Sequence, residues 1–276
     1  MADDLLSSKL GKQTDYVTQY TPSLLFPITR QESRKLLGIE GDPLPFVGMD
    51  IWTAYEMSWL DKKGKPQVAI GEFRIPCQSP SIIESKSFKL YLNSLNQTRF
   101  DSVRDVISTL ESDLSVAAGA PVIVQVTPLA QALQRGLGHY TGENLDQLDV
   151  EVQDYQPNPE LLRCDRPDYF VHESLNSDLL KTNCPVTGQP DWASIYIEYQ
   201  GAAIDREGLL KYIISFRSQQ DFHEHCVERI FMDISARCQP QKLTVYARYT
   251  RRGGVDINPY RSNESGEPED FRLVRQ

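Results

Sequence analysis

The order of elements suggested by residues 52 to 126 recurs over residues 192 to 249, and this internal repetition limits the chain to a paired, two-module architecture. In the first half Val68 to Ile75 alternates as a strand does, and Phe88 to Leu92 reads as a second strand. Asp101 to Ala118 sets Val103, Val106, Ile107 and Leu110 on one helical face, and Pro121 to Val126 returns to β-rich sequence. The second half predicts strands over Trp192 to Tyr199 and Leu209 to Phe216, a helix over Asp221 to Arg237 and a strand over Lys242 to Tyr249. An offset of 122 residues lays Lys89-Leu90-Tyr91-Leu92 on Lys211-Tyr212-Ile213-Ile214, Gln97 on Gln219 and Phe100 on Phe222. The expected fold class is α+β, two tandem modules of antiparallel sheet backed by helices. An irregular arm is expected over 1–45, the first module over 46–130, a connection ending in a cysteine-bearing turn over 131–190, and the second module over 191–276.

The composition suits such a pair of cores. In 276 residues, 40% are hydrophobic and 24% charged, which excludes an intrinsically disordered chain. A formal charge of -9 argues against an electrostatic grip on nucleic acid or anionic membrane. The opening MADDLLSSKL carries acids where a secretory leader carries bases, and no apolar run reaches the length of a membrane helix, so a cytoplasmic protein is expected. The five cysteines are odd in number and lack CxxC spacing, which points to neither a disulfide framework nor a zinc ribbon.

Chemistry-bearing residues fall where the halves differ. Glu84-Ser85-Lys86 packs a carboxylate, a hydroxyl and an ammonium together, whereas the offset places Arg206-Glu207-Gly208 in the second half. Cys184, Asp191 and His223-Glu224 belong to the second half alone. Cys184 sits in a turn with two prolines and a glycine, a setting that can fold a nucleophilic thiol and the Asp191 proton donor around one substrate atom. His223-Glu224-His225 opens a helix; HExxH is absent, because Val227 holds the second His position. A buried Glu224 can accept two hydrogen bonds from the N–H edge of a guanine-like ring, although polar residues also simply open helices. Arg248, Arg251 and Arg252 with Gly253-Gly254 end a strand with cations and flexible backbone, suited to a phosphate or to plain solvent exposure. With neither GxGxxG nor GxxxxGK[ST], any nicotinamide cofactor must bind outside a Rossmann site.

At ESKSFKLYLN (Glu84 to Asn93), Cys184 to Asp191, FHE (Phe222 to Glu224) and RRGG (Arg251 to Gly254), the sequence closely resembles the NADPH-dependent 7-cyano-7-deazaguanine reductases, nitrile reductases of queuosine biosynthesis, in their long two-module form. The resemblance runs over essentially the whole chain. It implies the tunnelling fold shared with GTP cyclohydrolase I, association of subunits into a homodimer, and reduction of a nitrile to an aminomethyl group with two NADPH and no metal. It implies Cys184 as the nucleophile that forms a covalent thioimide, with Asp191 as the proton donor. Ile83, Glu84, Ser85, His223 and Glu224 would form the base pocket, and Ser85, Lys86, Arg252 and Gly253 the cofactor site. Two alternatives remain open here. One is a metal-dependent cyclohydrolase on the same fold, for which Cys184, His223, His225 and Cys226 lack the ligand spacing; the other is a non-catalytic purine- or pterin-binding module, which would not need Cys184.

Overall fold

A computed structural model describes residues 16–132, 136–269 and 271–276; the first fifteen residues of the expected arm lie outside the described residues. The chain divides into two compact units. The first comprises Met1–Glu40, Met49–Gly136 and Arg251–Ile257, and the second Gly41–Gly48, Leu137–Thr250 and Asn258–Gln276. No helix among the described residues is long and apolar enough to cross a membrane.

The first unit draws on β1 (Pro27–Thr29), α1 (Gln31–Leu36), β2 (Val47–Leu60), β3 (Pro66–Pro76), β4 (Ser81–Ile83), α2 (Ser85–Ser94), α3 (Val103–Ala118), β5 (Ile123–Pro128) and α4 (Leu129–Ala132). Its sheet runs β5-β3-β2, antiparallel throughout, and β1 pairs separately with β4. The residues past Tyr16 in the expected arm are therefore partly ordered into β1 and α1, and Arg30 between them is buried in an ion pair with Asp50 at 2.5 Å. Phe88 stands edge-on to both Trp52 and Phe73, with centroids 4.9 and 5.0 Å apart, and so joins α2 to the sheet.

The second unit draws on β6 (Glu143–Asn144), β7 (Arg166–Asn183), β8 (Pro190–Ala203), α5 (Arg206–Ser215), α6 (His223–Cys238), β9 (Lys242–Tyr249) and β10 (Val255–Ser262). Its strands run β10-β9-β8-β7-β6, antiparallel except for the β6–β7 pair. On β8 the buried Ile195 and Ile197 alternate and pair with Ala247 and Val245, whereas β9 is covered on both faces, with Tyr246 and Arg248 also buried.

Two expected strands are helices. Phe88 to Leu92 lies in α2, and Leu209 to Phe216 lies in α5 and the turn after it. Phe88, Leu90 and Leu92 imitate strand alternation, but Phe88, Tyr91, Leu92 and Leu95 are the set that a helix buries on one face. Each helix opens on a capping carboxylate: Glu84 accepts from the N–H groups of Lys86 and Ser87, and Asp205 from that of Glu207. The repeat survives this change with its register moved by one residue. Tyr91 donates to Asp113 at 2.6 Å as Tyr212 donates to Asp233 at 2.7 Å, and Ser94 and Ser215 each bond back to their own tyrosine's carbonyl. Tyr91 thus matches Tyr212, not Ile213.

Candidate active site

In the second unit β7 and β8 form a hairpin whose loop carries Cys184. The Cys184 N–H donates to the Gln189 carbonyl at 2.9 Å, the Gly188 N–H donates to the Cys184 carbonyl at 3.0 Å, and Gly188 takes a left-handed φ of 67° that closes the turn. The register pairs Thr182 with Asp191 and Asn183 with Pro190. Cys184 is the first loop residue beyond Asn183 and Asp191 is the second residue of β8, so one end of the hairpin carries both thiol and carboxyl. Both are buried, at 5% and 4% exposure.

The start of α6 is brought to the same end of the hairpin. The Asn183 N–H donates to Gln219 and the Asp221 N–H donates to Asn183, tying the thiol turn to the segment that enters α6. His223 begins that helix with its Nε2 3.5 Å from the Asp191 Oδ2, and its ring stacks on Tyr249 of β9 at 3.6 Å and 7°. Glu224 follows, at 2% exposure. His225 turns away to Asp221, with its Nδ1 at 3.2 Å. Burial pushes the Cys226 thiol up to about 12, so it stays protonated. Among the described residues no three His, Cys, Asp or Glu side chains gather to hold a metal ion.

The first unit gathers the other predicted residues. Ile83 ends β4 with its side chain in the core, and the fully buried Glu84 spends its carboxylate on the α2 cap while its N–H donates to the Phe26 carbonyl and its own carbonyl accepts from the Phe88 N–H and the Ser87 hydroxyl. Burial raises the Glu84 pKa, against the lowering effect of the two N–H groups it accepts. Ser85 and Lys86 are half-exposed on the first turn of α2. Arg252-Gly253-Gly254-Val255 forms a tight turn with the Arg252 N–H on the Val255 carbonyl at 2.9 Å, and both glycines have φ above zero. A Cβ at Gly253 would lie 3.3 Å from the Lys89 Cδ, which sets the turn flat against α2 one helical turn past Lys86. Lys89 was hidden in the sequence inside an apparent strand. Lys86, Lys89 and Arg252 beside the exposed Gly253 fit the phosphates of a dinucleotide, while the Glu56 carboxylate packs against Gly254.

Sequence comparison gives this arrangement its class. Residues 16–126 match the family described as "Nitrile reductase, 7-cyano-7-deazaguanine-reductase N-term", and residues 190–268 match "QueF-like protein". The α+β modules are thus those of a nitrile-reductase-type tunnelling-fold protein. Two relatives named "NADPH-dependent 7-cyano-7-deazaguanine reductase" align end to end. That of Dechloromonas aromatica (strain RCB) is 55% identical over 277 residues, covering 100% of this chain and 98% of its own; that of Bordetella avium (strain 197N) is 58% identical over 273 residues, covering 99% of each. The solved apo form of the archaeosine synthase QueF-Like aligns with 35% of this chain and 96% of its own at 20% identity, with a TM-score of 0.31. The chain belongs to the NADPH-dependent 7-cyano-7-deazaguanine reductase family.

Proposed function

We propose that this protein reduces the nitrile of 7-cyano-7-deazaguanine to the aminomethyl group, with NADPH as reductant and as a step towards queuosine. The observation that carries the reading is that one hairpin end holds the buried Cys184 and Asp191, with His223-Glu224 at the helix start tied to it. Cys184, as thiolate, adds to the nitrile carbon, and Asp191 gives a proton to the nitrogen on which charge develops, leaving a covalent thioimide. NADPH, when bound, supplies hydride, two equivalents for the four-electron change. Breaking the C–S bond after the first reduction returns the thiolate to Cys184 and leaves an imine, which burial of the pair shields from hydrolysis. Glu224 accepts the N–H edge of the deazaguanine ring with His223 beside it. In the first unit Ser85 and Lys86 at the start of α2, with Arg252 and the Gly253 turn, hold the phosphates of the cofactor.

The test follows NADPH absorbance after mixing protein, 7-cyano-7-deazaguanine and a chelator. Two NADPH oxidised per nitrile, lost in Cys184→Ala, is the expected result. No oxidation despite nitrile binding, or full activity in Cys184→Ala, would overturn the covalent reductase.

A further inference from the structure

We infer that Tyr249 is a positioning residue for this site: its ring fixes the plane of His223, and the chain's last residue fixes Tyr249. The inference rests on the reading that His223 contacts the nitrile substrate. A histidine at the first position of a helix has open χ1 and χ2 choices, and an imidazole can present either nitrogen. The Tyr249 ring, wholly buried, lies parallel to the imidazole at 3.6 Å and 7° and so removes the freedom of χ2, leaving Nε2 directed at Asp191. The sheet register explains why Tyr249 can do this. Tyr249 pairs with Ala193, two residues past Asp191, so it shares the face that carries Asp191.

Tyr249 is itself held through its backbone. Its N–H donates to the Asn258 Oδ1 at 3.0 Å, and its carbonyl accepts from the Gln276 Nε2 at 3.3 Å. The same Gln276 amide also donates to the Asn258 Oδ1 at 3.0 Å, while its Oε1 accepts from the buried Arg248 at 2.6 Å. The Tyr249 hydroxyl, beside Cys226 and Thr182, faces away from this network. The ring, not the hydroxyl, therefore does the positioning.

A double-mutant cycle tests this with kcat and KM for 7-cyano-7-deazaguanine and NADPH. Tyr249→Leu is expected to raise the nitrile KM about tenfold, the scale of one lost ring pair with its geometry, and to leave the NADPH KM unchanged. Tyr249→Phe should recover most of that loss. In a His223→Ala background Tyr249→Leu should change the nitrile KM less than about twofold. Additive losses in the cycle, or a Phe variant as poor as Leu, would overturn the inference. Should Tyr249→Leu fail to fold, Gln276→Ala replaces it, with the same non-additivity against His223→Ala expected. Proton NMR of the His223 ring reads the stack without turnover: upfield-shifted ring protons in the wild type, moved downfield in Tyr249→Leu and retained in Tyr249→Phe, are expected, and unshifted wild-type protons refute the stack. An inert wild type with these shifts would sink the reductase reading and leave the positioning intact.

Discussion

Asp191 is buried near the loop end of the hairpin, with the His223 Nε2 3.5 Å from its Oδ2. A proton donor in that position can be replaced by an amide of the same size without opening a cavity. Asp191→Asn is therefore expected to keep nitrile affinity within a few-fold while turnover falls about 10²–10⁴-fold, the usual worth of a positioned acid. Calorimetric Kd alongside kcat checks it, and unchanged turnover refutes the role. Glu84 offers a test of a different kind. Its folded pKa is raised, mainly by burial, so the folded chain holds this proton more tightly than the unfolded chain does. With more protons bound in the folded state, stability falls as pH rises from the ordinary carboxylate range through the raised value. Glu84→Gln removes that dependence. The thermal midpoint of wild type minus that of Glu84→Gln is expected to decrease across this window, and a flat difference would show the carboxylate to be unshifted.

The hairpin loop is the element that aims the thiol, and Gly188 is its joint. A Cβ there would meet only the Gln220 Nε2, at 4.0 Å, so Gly188→Ala adds the left-handed strain and no clash. That strain should cost about 1–2 kcal/mol, read as a lower thermal midpoint, with kcat reduced through Cys184 while the NADPH KM holds; a variant of wild-type stability and rate would show that the loop does not aim the thiol. The turn was legible in the sequence because two prolines and a glycine before a strand leave few alternatives. The elements on either side were less so. Arg166–Asn183, expected to be irregular, is β7, whose outer half from Arg166 to Phe170 is exposed and shows no apolar alternation to reveal a strand. Val255–Ser262 forms β10 although Pro259 interrupts it and its buried positions include Asp256, Asn258 and Arg261, the last satisfied by Glu228 at 2.9 Å. Helices α2 and α5 read as strands in the sequence because aromatic and branched residues fill them; the caps at Glu84 and Asp205 are the available signal. Tyr249 had none, since an aromatic in an alternating strand reads as core until the register sets it against His223.

At the scale of the molecule the repeat duplicates a scaffold while the chemistry-bearing side chains differ between its copies. Both units keep the capped helix, the Tyr–Asp bond and the serine that bonds back to its tyrosine, so each retains the same packing device. What differs is the side chains that the device presents. The first unit shows cations and a glycine turn, and the second a thiol, two carboxylates and an imidazole. Residues that sit in different units and share no partner should contribute additively. Lys86→Ala is accordingly expected to raise the NADPH KM about 10- to 100-fold, the loss of one charged hydrogen bond, with the nitrile KM little changed. Glu224→Gln should do the reverse by a similar factor, since the amide gives up the charge that binds the ring's N–H edge. The double variant should then show the product of the two effects on kcat/KM. Steady-state kinetics with each substrate varied in turn decides it: a Lys86→Ala protein impaired chiefly in nitrile KM, or a double variant no worse than one single, would mean that the units do not divide the site by ligand, and that the repeat diverged for a reason other than separating base recognition from phosphate recognition.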